Sequence, residues 1–101
     1  MDFHKLYEHA QQIQTRLMEE MEQAEVEGDS GGGMVRARMN GKKELLSLTI
    51  DPETLRTVEP AMLQDLIVAA VNQCARKVDA LLAEKLGGLA GRMNLPGLFG
   101  L

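Results

Sequence analysis

The sequence predicts an α+β fold in which two long helices flank a three-stranded antiparallel sheet, in the order α-β-β-β-α. Apolar residues recur every three or four positions before residue 24 and again after residue 60, as on one face of a helix. Between these stretches, residues 34–39 and 45–50 alternate with a period of two, which is typical of strands with one buried face. A glycine run and an Asn-Gly pair separate the strands.

The first helix is predicted to begin near Phe3, and no glycine or proline interrupts it before Gly28. A helix of about 23 residues is roughly 35 Å long, whereas strands of about seven residues span only about 23 Å. The helix must therefore overhang the sheet by roughly 12 Å. An overhanging apolar stripe is unfavourable in water, so we predict a homodimer that covers it. The stripe consists of Phe3, Leu6, Ala10, Ile13, Leu17 and Ala24.

Three strands are expected next. A first short strand near residues 25–28 should turn back at the glycine run 31–33, and Asn40-Gly41 favours a tight hairpin between the second and third strands. Asp51-Pro52 should end the sheet, because proline cannot donate to a strand ladder. The apolar faces are predicted to be Val35, Ala37 and Met39 on the second strand, and Leu46, Leu48 and Ile50 on the third, with Leu45 on the opposite face.

After one helical turn at residues 52–55, a second long helix is predicted from Pro60, whose missing N–H costs nothing in a first turn. Gly87-Gly88 should end this helix. The prediction is one domain, residues 1–88, followed by a flexible apolar tail, residues 89–101. The broad apolar face of the helix holds Leu63, Leu66, Ile67, Ala70, Val71, Cys74, Val78, Leu81 and Leu82.

Composition and motifs give no support for an enzyme. His4 and His9 point to different helix faces, the glycine run lacks the Gly-Lys-Ser/Thr ending of a phosphate loop, and Cys74 reads as a buried, inert thiol. We therefore expect no catalytic residues, cofactor, metal or small-molecule substrate. A single cysteine suits a reducing cytoplasm, and the sequence shows neither a signal peptide nor a membrane span. The net charge of −4 by itself mildly opposes nucleic-acid binding.

A polar stripe on the first helix is the strongest candidate for a binding surface. Its members are spaced four, three and four residues apart, so they share one helix face. Long donors of this kind suit phosphates and base edges, although such a stripe taken alone is more often a solvated face. A dimer would present it twice. The candidate DNA-binding residues are Lys5, His9, Gln12 and Arg16 on this stripe, with Lys77 and Lys85 on the second helix.

Three segments of the chain resemble the YbaB/EbfC family of bacterial nucleoid-associated proteins. They are AQQIQTRLMEEMEQAEVEGDSGGGMVRARMNGKKELLSLTIDPETL, MLQDLIVAAVNQCARKVD and MNLPGLF. The resemblance implies an α-β-β-β-α protomer, an intertwined homodimer shaped like tweezers, and projecting helices that grip DNA in the nucleoid. The chain departs from this expectation in its acidity, because residues 18–27 carry five glutamates and no base.

Two hypotheses of function follow. The first is a non-enzymatic, cytoplasmic, nucleoid-associated homodimer that binds duplex DNA, alters its conformation and thereby affects gene expression. The alternative is a protein-interaction module that docks a replication or recombination protein, which the acidic residues 18–27 and the LPGLF sequence of the tail suggest. Neither hypothesis involves a membrane.

Overall fold

The computed structural model describes residues 2–92, which form three helices and one antiparallel sheet with strand order β1-β2-β3. The predicted α+β class is confirmed, and a short α2 occupies the position where the sequence predicts one helical turn. The Asp2 carboxylate caps the first helix by accepting the His4 N–H at 3.0 Å. The elements are α1 (Phe3–Gln23), β1 (Glu25–Ser30), β2 (Val35–Asn40), β3 (Leu45–Ile50), α2 (Pro52–Thr57) and α3 (Pro60–Arg92).

The core lies between α3 and the first two strands. The predicted buried face of β2 is confirmed, since Val35, Ala37 and Met39 are 0%, 2% and 4% exposed. The helix α3 packs across β1 and β2 and contributes Ala70, Cys74 and Val78 to the same cluster. This approach depends on Gly28, because a Cβ there would come within 2.6 Å of the Ala70 carbonyl oxygen.

The helix α1 is attached to the sheet only near its last turns. Met21 is its one buried residue, and it lies against the turn after β2, where a Cβ on Gly41 would overlap the Met21 carbonyl group. The Gly41 N–H also donates to the carbonyl oxygen of Ala24 at 3.2 Å. Most of α1 therefore extends beyond the sheet, as predicted. The protein measures 66 × 23 × 17 Å, with a radius of gyration of 18.7 Å, against about 13 Å for a compact domain of this size.

The helix end predicted at Gly87-Gly88 is wrong, because α3 continues to Arg92. Residues 89–92, predicted as part of the tail, are thus helical. Glycine costs only about 1 kcal/mol in a helix interior, and the leucines on either side of the pair, Leu86 and Leu89, are strong helix formers. The remainder of the predicted tail, residues 93–101, lies outside the described residues.

The strand boundaries and turns differ from the prediction in three details. The strand β1 extends to Ser30, and the glycine run then turns the chain with φ values of 60°, 67° and 99°. The turn after β2 is longer than a two-residue hairpin and has its positive φ at Lys43. The Asn40 side chain closes it by accepting the N–H groups of residues 42 and 44. A register shift between β2 and β3 leaves Leu46 without a partner and places Leu45 opposite Met39.

Candidate nucleic-acid interface

A groove of about 650 Å³ runs between α1 and the second half of α3. Its floor is apolar and, apart from the exposed Gly88, half-buried, and its rim carries both donors and acids. The helix α1 is held at only one end and forms one wall of the groove, and α3 forms the other wall. The two helices together make up a projecting arm. The lining residues are Ile13, Leu17, Leu81, Gly88 and Leu89 on the floor, and His9, Gln12, Arg16, Glu20, Glu84 and Lys85 on the rim.

The groove brings together four of the six predicted site residues. His9, Gln12 and Arg16 line it from α1, and Lys85 lines it from α3. Lys85 is half-buried, and its Nζ lies 3.3 Å from a Glu20 carboxylate oxygen. Lys5 lies one turn further out on α1 than His9 and is exposed. These five donors therefore lie on one projecting arm, and four of them form the stripe that the sequence predicts on α1.

Lys77 lies elsewhere, at the free edge of β1. Its ammonium group donates to the Glu27 carbonyl oxygen at 2.6 Å. Beside it, the Gln73 side-chain oxygen accepts the Asp29 N–H at 2.8 Å. Unpaired strand edges promote association with other strands, and side chains from α3 block this one. Sequence reasoning missed the role of Gln73 and Lys77 because no spacing pattern shows which backbone groups an edge strand leaves unpaired.

Bases from other elements pair with part of the acidic segment, residues 18–27. Arg38 on β2 donates to Glu25 at 2.8 Å, a hydrogen bond that raises the pKa of the guanidinium group. Lys42 lies 3.8 Å from Glu22 and Lys85 lies 3.3 Å from Glu20. Three of the five glutamates are thus matched by a base. In the folded chain, these bases therefore offset part of the negative charge of residues 18–27.

The strand β3 forms the opposite edge of the sheet, and α3 packs on the other two strands, β1 and β2. Three leucines on this strand remain accessible: Leu45 at 47%, Leu46 at 44% and Leu48 at 37%. Apolar side chains that cluster on an uncovered strand mark a surface suited to association. One edge of the sheet is therefore closed by α3, while the other is open and apolar.

Between residues 2 and 92 there is no group of three His, Cys, Asp or Glu side chains arranged to hold a metal ion. Over the same range, no helix combines the length and apolar character needed to cross a membrane. Cys74 is fully buried as predicted, and burial raises the pKa of its thiol.

Comparison with known proteins gives one consistent result. The model of the YbaB/EbfC DNA-binding family matches residues 1–93. A nucleoid-associated protein of Caldanaerobacter subterraneus subsp. tengcongensis is 42% identical over 97% of this chain and 91% of its own length. One from Koribacter versatilis is 46% identical over 87% of both chains. The crystal structure of an uncharacterized protein from Helicobacter pylori superposes with a TM-score of 0.71 at 29% identity, covering 92% of this chain and 97% of that one.

Proposed function

The chain belongs to the YbaB/EbfC DNA-binding family, and from this premise we propose that it binds duplex DNA as a homodimer in the bacterial nucleoid, without enzymatic activity. The observation that carries the proposal is the family match over residues 1–93, combined with an arm that groups long hydrogen-bond donors. Binding would change the path of the DNA and thereby affect gene expression.

The arm supports a grip on the duplex through its donors. Lys5 and Arg16 are exposed cations on α1, with Gln12 exposed between them. Cations at such positions suit phosphate oxygens, which supply most of the affinity in non-specific binding. A glutamine can in addition reach a base edge in a groove. Lys77 and Lys85 complete the proposed surface, although each already donates to an acceptor of its own chain.

The open edge of the sheet supports the proposed homodimer. Because α3 closes the β1 edge, a second copy would meet the sheet at β3, where Leu45, Leu46 and Leu48 are accessible. A two-fold contact uses the same patch on both chains. Two arms would then project from one central platform, so that a duplex could lie between them.

Affinity for a labelled duplex, measured across a salt series, tests the proposal. If Lys5 and Arg16 of both protomers each contact a phosphate, their four contacts contribute about 3.6 to the slope of log affinity against log salt. Between about 50 and about 200 mM salt, that share amounts to roughly 150-fold in affinity. The double variant Lys5→Glu with Arg16→Glu should lose this salt dependence together with most of the binding.

A charge-matched control is available. Lys42→Glu with Arg56→Glu exchanges the same residue types on the hairpin and on α2, both exposed. Each exchange changes the charge by −2, so both double variants change the net charge from −4 to −8. The control should keep a larger share of the binding. Equal losses in the two variants would show that net charge matters and the arm does not, and a full-length chain that binds no duplex at low salt would refute the proposal.

The alternative, a docking module for a replication or recombination protein, predicts a different result. A protein partner should stay bound to the chain in a nuclease-treated lysate, whereas a DNA-bridged association should be lost. The acidic segment was one motive for this alternative, and three of its five glutamates pair with bases of the same chain. We therefore retain duplex DNA as the proposed partner.

A further inference from the structure

The face of the sheet turned away from α3, here called the outer face, is covered by no helix among residues 2–92. Side chains alternate along a strand, so the burial of Val35 and Ala37 toward α3 leaves Arg36 and Arg38 exposed on the outer face. Each strand contributes one column of side chains, acidic on β1, basic on β2 and hydroxyl-bearing on β3. The columns are Glu25, Glu27 and Asp29, then Arg36 and Arg38, then Ser47 and Thr49.

Three of the five charged side chains in these columns form no ion pair within the described part of the chain. The strand register places Asp29 opposite Arg36 and Glu27 opposite Arg38. Arg38 nevertheless donates to Glu25, at 2.8 Å. No ion pair among the described residues engages Arg36, Glu27 or Asp29. Two acids and one base are therefore available for contacts with another molecule.

The pattern of charge on the outer face selects the kind of partner. A duplex laid on this face would bring its phosphates against the carboxylates of β1, and like charges repel each other. An apolar segment does not fit either, because the three columns contain no large apolar side chain. A surface with one sign of charge on one strand and the opposite sign on the next is complementary to a second copy of itself. A shallow depression of about 300 Å³ between the columns leaves room for the side chains of that copy.

We propose that the outer faces of two copies pack against each other, through a contact distinct from the one at β3. A two-fold axis parallel to the strands, placed over the gap between β1 and β2, lays β1 of each copy over β2 of the other. Residues that are partners across these two strands then stay at the same level. Asp29 of one copy therefore meets Arg36 of the other, Glu27 meets Arg38, and the symmetry makes each contact twice. Sheets packed face to face lie about 10 Å apart, a gap that an arginine and a carboxylate side chain can bridge together.

The contact is small, so it is weak on its own. Three strands of six residues present a face of about 14 × 20 Å, or roughly 280 Å², well below the ~800 Å² per partner of a standard stable interface. Such a contact becomes effective where several copies are held close together. The axis lies on the β1 side of the sheet, so the β3 edge of both copies stays free.

The contact between outer faces has a consequence that rests on the proposed function, whereas the contact itself does not. Dimers formed at β3 and bound to DNA would be joined to one another through their outer faces. Because each dimer carries its own pair of arms, two duplexes would thereby be bridged.

Charge reversal in two complementary variants tests the contact without DNA. In copies of Asp29→Arg two arginines would meet, and in copies of Arg36→Asp two aspartates would meet, so each variant alone should repel itself. When the two variants are mixed, every one of these contacts again joins opposite charges. Sedimentation at low salt and high protein concentration measures the association. Its dissociation constant should rise at least about tenfold in each variant alone and recover in the mixture, and added salt should weaken the association of the parent.

Asp65→Arg and Arg76→Asp are the matched controls, because they make the same two exchanges at exposed sites of α3. Within the described residues, neither Asp65 nor Arg76 takes part in an ion pair. Both controls should associate as the parent does, and circular dichroism verifies the fold of all four variants. Single variants of the outer face that associate as strongly as the parent, or a mixture that associates no better than its components, would overturn the proposal.

A capture assay tests the bridging of DNA. A duplex fixed on beads retains a second, labelled duplex only if the protein joins the two. Arg36→Asp should match Arg76→Asp in a gel shift with a single duplex, yet capture less of the second duplex, and mixing it with Asp29→Arg should restore the capture. A chain that binds no duplex would refute the proposed function, and sedimentation would still decide whether the outer faces meet. If Arg36→Asp and Arg76→Asp capture equally well, the outer faces do not join the duplexes.

Discussion

The attachment of α1 depends on a glycine, and alanine at Gly41 should loosen it. The φ angle of Gly41 is not in the left-handed region, so alanine is opposed there only by contacts. Its Cβ would overlap the carbonyl group of Met21 and come within 2.8 Å of the Met21 Cα. These are backbone atoms, which cannot turn away as a side chain can. The last turn of α1 must therefore move away from the hairpin.

The expected cost follows from two contributions. Forcing an extra methyl group into a packed position costs about 1–3 kcal/mol, and the backbone obstacle places Gly41→Ala near the upper end. Displacement also breaks the bond from the Gly41 N–H to Ala24, which contributes about 1 kcal/mol. We expect a loss of about 4 kcal/mol in the free energy of unfolding, a large part of the 5–15 kcal/mol typical of a domain.

Urea denaturation followed by circular dichroism measures this loss by linear extrapolation. All variants must be compared at one protein concentration, because self-association would add to apparent stability. Gly32→Ala is the control. Its Cβ would meet nothing within 4 Å, but φ is +67°, so only backbone strain of about 1–2 kcal/mol applies. If Gly41→Ala costs no more than Gly32→Ala, α1 is not seated on the hairpin as described.

Three further predictions test the edges of the sheet and its core. Leu48→Lys on the open strand should disrupt the dimer and so lower the molecular mass measured by sedimentation. Val68→Lys also replaces an aliphatic side chain by lysine, at an exposed site of α3, and should leave the mass unchanged. Equal masses for the two variants would exclude β3 as the interface. Gln73→Ala or Lys77→Ala should each lower the free energy of unfolding by about 1 kcal/mol and increase aggregation, because each exposes the edge of β1. Variants as stable and as soluble as the parent would show that these side chains do not protect the edge. The thiol of Cys74 is buried and its pKa is raised, so iodoacetamide should label it only in urea; native labelling at the rate of an exposed thiol would refute its burial.

Local patterns in the sequence predict most of the fold. The alternation of Val35, Ala37 and Met39 is a direct consequence of strand geometry, and all three are buried. The length of α1 follows from the absence of glycine and proline before Gly28. Such features depend on neighbours in the chain, so they can be read without knowing the tertiary structure.

The failures concern features that distant contacts decide. Gly87-Gly88 has the composition of a helix end, yet α3 continues to Arg92. Lys77 stays a predicted DNA-binding residue, and no spacing pattern in the sequence shows that its ammonium group also donates to the backbone of a strand fifty residues away in the chain. The grouping of His9, Gln12 and Arg16 was predictable from helix periodicity, whereas the groove they line depends on where α3 runs.

The distribution of charge reconciles an acidic chain with the proposed binding of DNA. Residues 18–27 carry −5, so the rest of the chain carries −4 − (−5) = +1. Lys5 lies thirteen residues before this segment on α1, which is about 20 Å along a helix. The Debye length is about 8 Å at physiological salt, so the acidic segment is largely screened at the tip of the arm. At about 0.01 M salt the Debye length grows to about 30 Å, and the tip should then experience the glutamates. Affinity for DNA should therefore rise less steeply on dilution of salt below that point than counterion release alone predicts.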